Sequence, residues 1–185
     1  EDKNYVAMIL VSMIPVFIVG MFFKEQVEAF FGGGLLIVGI CLCITALLLY
    51  LSEWLSKRRM GQGHEVGYKD AIIIGLAQAV AVLPGLSRSG TTIATGLLCG
   101  VKKESVTQFS FLMVLIPILG ESFLEVVGGE FGASSVGATA LILGFVSAFV
   151  SGLLACKVMI ALVKKAKLSW FALYCLLAAA AIFIF

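Results

Sequence analysis

The residues best suited to chemistry in this chain crowd into one six-residue span, 87–92. Ser87, Arg88, Ser89, Gly90 and Thr92 stand together within AVLPGLSRSGTTIA, residues 81–94. Arginine offers a planar fork of donors that matches phosphate oxygens. Three hydroxyls add donors beside it. A half-helix that begins near Ser89 would aim its free N–H groups and positive dipole end at the same spot. Gly85 and Gly90 permit a tight turn and a close backbone approach. Such a set suits an anion, phosphate or diphosphate above all. An arginine in hydrocarbon costs roughly 2.5–3.5 kcal/mol, so its place needs a reason. The plainer alternative is an ion pair with Glu121 or Glu125, with the hydroxyls serving only the backbone of a broken helix.

The elements that must hold this cluster are membrane helices. The chain is 61% hydrophobic and 13% charged over 185 residues, against about 45–50% and about 25% for soluble domains. A soluble enzyme core is excluded, and a nucleic-acid partner is not expected. The anion's remainder is then a lipid. Five segments read as spans of about 20 residues: Tyr5 to Phe23, Gly34 to Leu51, and 105–127, 139–161 and 169–185. The five cysteines, at 41, 43, 99, 156 and 175, lie in apolar runs without a CxxC and read as small packing residues.

Residues 70–100 have two readings. They form either a sixth span kinked at Pro84 or a re-entrant hairpin of two half-helices. Irregular backbone at membrane depth survives only inside protein or beside a wet cavity. Basic residues arbitrate. With a hairpin, Lys3, Lys57, Arg58, Arg59, Lys69, Lys102, Lys103, Lys164, Lys165 and Lys167 share one side, and Lys24 stands on the other. With a sixth span that asymmetry nearly vanishes. The positive-inside rule therefore selects the hairpin and a cytoplasmic basic side. The C-terminus is expected on the outer side.

GLAQAVAVLPGLSRSGTTI resembles the second signature of the bacterial undecaprenyl-diphosphatases of the bacitracin-resistance type, P-G-x-S-R-S-x-x-T. Pro84, Gly85, Ser87, Arg88, Ser89 and Thr92 match in register. SMIPVFIVGMFF and QFSFLMVLIP are also similar to that family, as are the last two spans. The resemblance implies an all-α polytopic membrane protein with an inverted-repeat fold, each repeat a re-entrant helical hairpin followed by three spans. Residues 1–69 would then hold the last two spans of the first repeat and a cytoplasmic loop. Residues 70–185 would be the second repeat.

The implied activity is hydrolysis of undecaprenyl diphosphate to undecaprenyl phosphate and inorganic phosphate, in the bacterial inner membrane. Arg88 and Ser87 would be catalytic, and Ser87, Arg88, Ser89, Gly90 and Thr92 would bind the phosphates. The family's first motif, Glu-rich and followed by Ser-Ser-Ser-Gly-His, does not occur here. The expectation is therefore a C-terminal portion of a longer enzyme, needing the first-repeat segment as partner. A divalent metal, Mg or Ca, is implied with ligands outside this chain.

The remaining expectations are narrower. Gln78 and Glu121 are candidates to line the site, Gln78 equally one to satisfy a half-helix. Glu121 and Glu125 read as outward metal ligands or as ordinary interfacial acids. His64 reads as a solvated loop residue, which argues against the phosphatidic-acid type of phosphatase. Gly96 and Gly100 have G-x-x-x-G spacing, read as close packing with a homodimer as the other option. A polyprenyl-phosphate transporter would use the same Arg and hydroxyls.

Overall fold

A computed structural model describes residues 2–23, 25–26, 30, 32, 34–59, 63–128, 137–165 and 168–184. Its principal helices are α1 (Asp2–Phe22), α2 (Gly34–Arg58), α3 (Tyr68–Val80), α4 (Arg88–Cys99), α5 (Lys103–Val127), α6 (Ala138–Lys165) and α7 (Leu168–Ile184). Among the described residues there is no strand, only an isolated bridge between His64 and Val101. Lys3–Phe22, Gly34–Arg58, Lys103–Leu124 and Thr139–Ala161 are long and apolar enough to cross a membrane. α7 is apolar but has 17 residues, a little short of the ~20 that a perpendicular crossing needs. Phe145, Phe149, Trp170 and Ile184 are among many large apolar side chains left exposed. That surface suits lipid contact in a multi-pass membrane protein.

α3 and α4 pack against each other, α3 also against α1 and α4 against α2. α3 ends where Pro84 and Gly85 follow, Gly85 adopting φ +86°, a region closed to most L-residues. α4 ends at Gly100, φ +96°, whose N–H caps the last turn. The strands of chain flanking the pair then meet. His64 N–H donates to the Gly100 carbonyl at 3.2 Å, and Lys102 N–H to the His64 carbonyl at 2.9 Å. Both ends of the α3–α4 pair therefore lie side by side. Its turn lies against α2 at Val38, where a Cβ on Gly85 would come 2.7 Å from the Val38 carbonyl oxygen.

Small residues set these approaches. A Cβ on Gly75 would sit 2.3 Å from the Ser12 carbonyl oxygen of α1, and one on Gly96 would meet Val106 and Ile74. The G-x-x-x-G spacing thus divides. Gly96 allows close packing as expected, whereas Gly100 serves as the left-handed cap beside Arg59. The interior of this group is Ile74, Leu97, Val106, Phe109 and Met113, all fully buried, with Tyr5 edge-on to Phe109.

His64 lies in a loop with its side chain exposed, as expected. Its Nε2 lies 3.0 Å from the Asp70 carboxylate. Asp70 also accepts the Gly67 N–H at 2.9 Å. Nearby, Glu65 accepts from the Ser105 hydroxyl at 2.5 Å and from Lys102 at 3.0 Å. Those bonds hold its carboxyl below the ordinary glutamate range.

α7 is anchored to α2 at one buried acid. Glu53 accepts from both the N–H and the hydroxyl of Ser169 and pairs with Lys57 at 2.8 Å. Far along the same pair, Phe183 lies over Gly39. Charged hydrogen bonds of this kind contribute about 1.5–3 kcal/mol each way of counting, while exposed ion pairs contribute about 0–1 kcal/mol. Glu53→Ala should therefore lower stability by about 2 kcal/mol, read as the thermal midpoint in detergent. Lys57→Ala, at a side chain 60% exposed, should change it little.

Candidate anion site and its apolar cavity

The tip is a helix N-terminus with its caps in place. Ser87 is the N-cap of α4, extended at φ −66°, ψ 109°, and its Oγ accepts the Gly90 N–H at 3.2 Å. The Thr91 N–H goes to the Ser87 carbonyl at 2.8 Å. The N–H groups of Arg88 and Ser89, the first two in the helix, have no intrahelical acceptor by geometry. They remain for an anion at the positive end of the dipole. The Ser87 hydroxyl uses its oxygen on Gly90 and keeps its own proton to donate.

The expected site residues separate into two groups. Ser87, Ser89 and Gly90 lie on the wall of one cavity of about 760 Å³. Arg88 is half-buried at the same turn, and no described side chain forms an ion pair with it. Thr92 differs: it is fully buried, and its hydroxyl donates toward the Arg88 and Ser89 carbonyls at 3.0 and 3.2 Å. It braces the first turn from within. Gln78 is buried on α3, and neither its amide nitrogen nor its oxygen has a described partner. It is not on the cavity wall. The side chains of Glu121 and Glu125 lie outside the described residues, so the proposed ion pair to Arg88 does too.

The rest of the cavity wall is apolar. Leu42 and Leu49 come from α2, Phe111 from α5, Met159 from α6, and Phe171 and Tyr174 from α7. A polar rim of hydroxyls and amides at one point of an apolar lining suits an amphiphile with an anionic head. The sequence points to the head group through its Arg and Ser run. The lining is spread over four distant helices, with no local signal to gather it.

Sequence reasoning also passed over Thr45. It is fully buried in α2, inside a long apolar run. Its hydroxyl donates to the Cys41 carbonyl at 3.0 Å and accepts the Ser87 N–H at 3.3 Å. A lone Thr in a membrane helix ordinarily bonds its own preceding turn, so nothing marked it.

A model of the bacitracin resistance protein BacA family matches residues 1–181. The chain belongs to the BacA family. It is 57% identical over 178 residues to the undecaprenyl-diphosphatase of Bacteroides fragilis, covering 95% of this chain and 66% of that protein. It is 55% identical over 187 residues to the undecaprenyl-diphosphatase of Bacteroides thetaiotaomicron, covering all of this chain and 70% of that protein. The undecaprenyl-diphosphatase of Methanobrevibacter smithii is 39% identical over 174 residues, 94% of this chain and 62% of that protein. The chain thus spans about two thirds of the length of these curated BacA-type relatives.

The divalent metal that the resemblance implied can be tested against the donors of this BacA-family chain. Among the described residues, no three His, Cys, Asp or Glu side chains converge. The tip presents N–H groups, hydroxyl protons and a guanidinium, a set that attracts anions and repels cations. These residues do not fit a metal, and no step is assigned to one.

The cap and the anion site can be told apart by substitution at one position. Aspartate caps helices as well as serine does, whereas alanine loses about 1 kcal/mol. Ser87→Ala should lower the thermal midpoint. Ser87→Asp should leave it near wild type but abolish binding of inorganic pyrophosphate, because its charge repels the anion.

Proposed function

We propose that the protein hydrolyses undecaprenyl diphosphate to undecaprenyl phosphate and inorganic phosphate, returning the cell-wall lipid carrier to use. One observation carries the reading: Ser87, Ser89 and Gly90 form the polar corner of an apolar cavity large enough for the start of a polyprenyl chain. The diphosphate sits at the N-terminus of α4, and the isoprenoid lies along Leu42, Leu49, Phe111 and Phe171. The names of the relatives agree with this substrate.

In this account α3 and α4 are half-helices of a re-entrant hairpin. Its base faces the cytoplasm, where Lys57, Arg58, Arg59, Lys69, Lys102 and Lys103 cluster. Thr45 contacts the tip and Arg59 the base, 14 residues apart on α2, or about 21 Å of helix at 1.5 Å per residue. That depth lies well inside a hydrocarbon core of about 30 Å. The C-terminus of α7 then faces outward, in the plasma membrane. Residues 1–69 belong to the first of two inverted repeats and residues 70–185 to the second.

The chemistry follows from what the tip can hold. Water attacks the terminal phosphorus, the bridging P–O bond breaks, and undecaprenyl phosphate leaves with the negative charge. Phosphoryl transfer depends mainly on positioning and charge stabilisation. The Arg88 guanidinium and the Arg88 and Ser89 N–H groups meet the oxygens where that charge develops. Ser87 and Ser89 hydroxyls orient the two phosphates. The base that activates water is assigned to the first-repeat segment.

A transporter is the second reading, because paired half-helices ending at the membrane centre are also a transporter architecture. Phosphate release from undecaprenyl diphosphate by the protein in liposomes separates the two. Arg88→Ala should reduce release by about 10²–10³-fold, the usual cost of one preorganised donor to a developing oxyanion. Release that survives Arg88→Ala would remove Arg88 from the site. No release, together with passage of labelled lipid between leaflets, would establish transport instead.

A further inference from the structure

We propose that Thr45 is a positioning residue for this site, taking from α2 the role that a helix usually gives its own third residue. The proposal rests on reading the tip as a phosphate site. At a capped helix start, the N3 side chain commonly reaches back to the N-cap N–H. α3 does this: Asp70, three residues after the N-cap Gly67, accepts the Gly67 N–H at 2.9 Å. α4 cannot, because its N3 residue is Gly90. A larger residue would crowd that place. A Cβ there would lie 3.0 Å from Ser87 Oγ and 3.3 Å from Thr45 Cγ2.

The Ser87 N–H therefore has to be met from another helix, and Thr45 meets it at 3.3 Å. The donor count of Thr45 closes. Its single proton goes to the Cys41 carbonyl at 3.0 Å, which leaves its oxygen as an acceptor facing Ser87. An amide without a partner in hydrocarbon is costly, so Ser87 is tied to α2 at one height and one angle. Every anion-directed group of the tip lies on Ser87 or within two residues after it. Thr45 touches none of the substrate's atoms; it sets where the Arg88 and Ser89 N–H groups and the Ser87 hydroxyl point. The Thr45 methyl against Gly90 closes the contact from the other side.

The test uses Thr45→Val, which keeps shape and removes the acceptor, beside Thr45→Ser, which keeps the hydroxyl. Two readouts are taken: the inhibition constant of inorganic pyrophosphate against phosphate release, and the amide resonance of Ser87 in isotope-labelled protein. Both are insensitive to the fraction of protein that folds. Thr45→Val should raise the inhibition constant and KM together by about tenfold, the size of one lost hydrogen bond, and should shift the Ser87 amide upfield. Thr45→Ser should restore both. A Val variant with wild-type constants and an unmoved Ser87 resonance would overturn the proposal, as would a Ser variant as impaired as Val. A wild-type protein that pyrophosphate does not inhibit would instead defeat the phosphate-site reading. In that event the Ser87 resonance still decides whether Thr45 holds the tip.

Discussion

The structure turns on one constraint: a chain break within an apolar helical bundle must leave no backbone N–H without a partner unless a ligand will supply one. The tip between α3 and α4 meets it almost completely. Ser87 answers Gly90, the Ser87 carbonyl answers Thr91, and Thr45 answers Ser87. The Arg88 and Ser89 amides are left, beside a guanidinium with no described acid partner. Both amides and the guanidinium are donors. Those donors at the start of α4, and not the arginine alone, are what suit the tip to an anion.

α2 is the reference surface for everything else. It carries Val38 beneath Gly85, Thr45 against Ser87, and Arg59 beside Gly100, so it runs along the whole of α4. It also holds α7 through Glu53 and Gly39, and α7 forms much of the cavity wall. One helix thus fixes both the polar corner and the apolar lining. A change at either end of α2 should be felt at both.

Much of this was legible in the residues. Four long apolar helices followed from apolar length, and residues 70–100 form two short helices rather than one long one. That Ser87 and Ser89 share a cavity wall was foreshadowed by polar residues standing together in an apolar run. The rest was hidden by distance. Thr45 precedes its partner by 42 positions and looks like any membrane threonine. Thr92 carries the right group, but its rotamer turns the proton inward to two carbonyls. Gly96 and Gly100 share a spacing and do different work, because one lies at a helix crossing and the other at a helix end. His64 is exposed as its polar loop implied, and the sequence did not show that its side chain meets Asp70, six residues on.

The central claim is that the α4 N-terminus and the apolar cavity together bind an anionic polyprenyl lipid head first. Trp170 lines that cavity with Ser87 and Ser89, and the other tryptophan, Trp54, stands apart on α2. Fluorescence of a Trp54→Phe variant, titrated with a short polyprenyl diphosphate and with the matching alcohol, reads this directly. The account predicts a saturable Trp170 response with the diphosphate at least about 100-fold tighter than the alcohol, about 2.7 kcal/mol. Equal affinity for diphosphate and alcohol, or a diphosphate that binds while Trp170 stays silent, would contradict it.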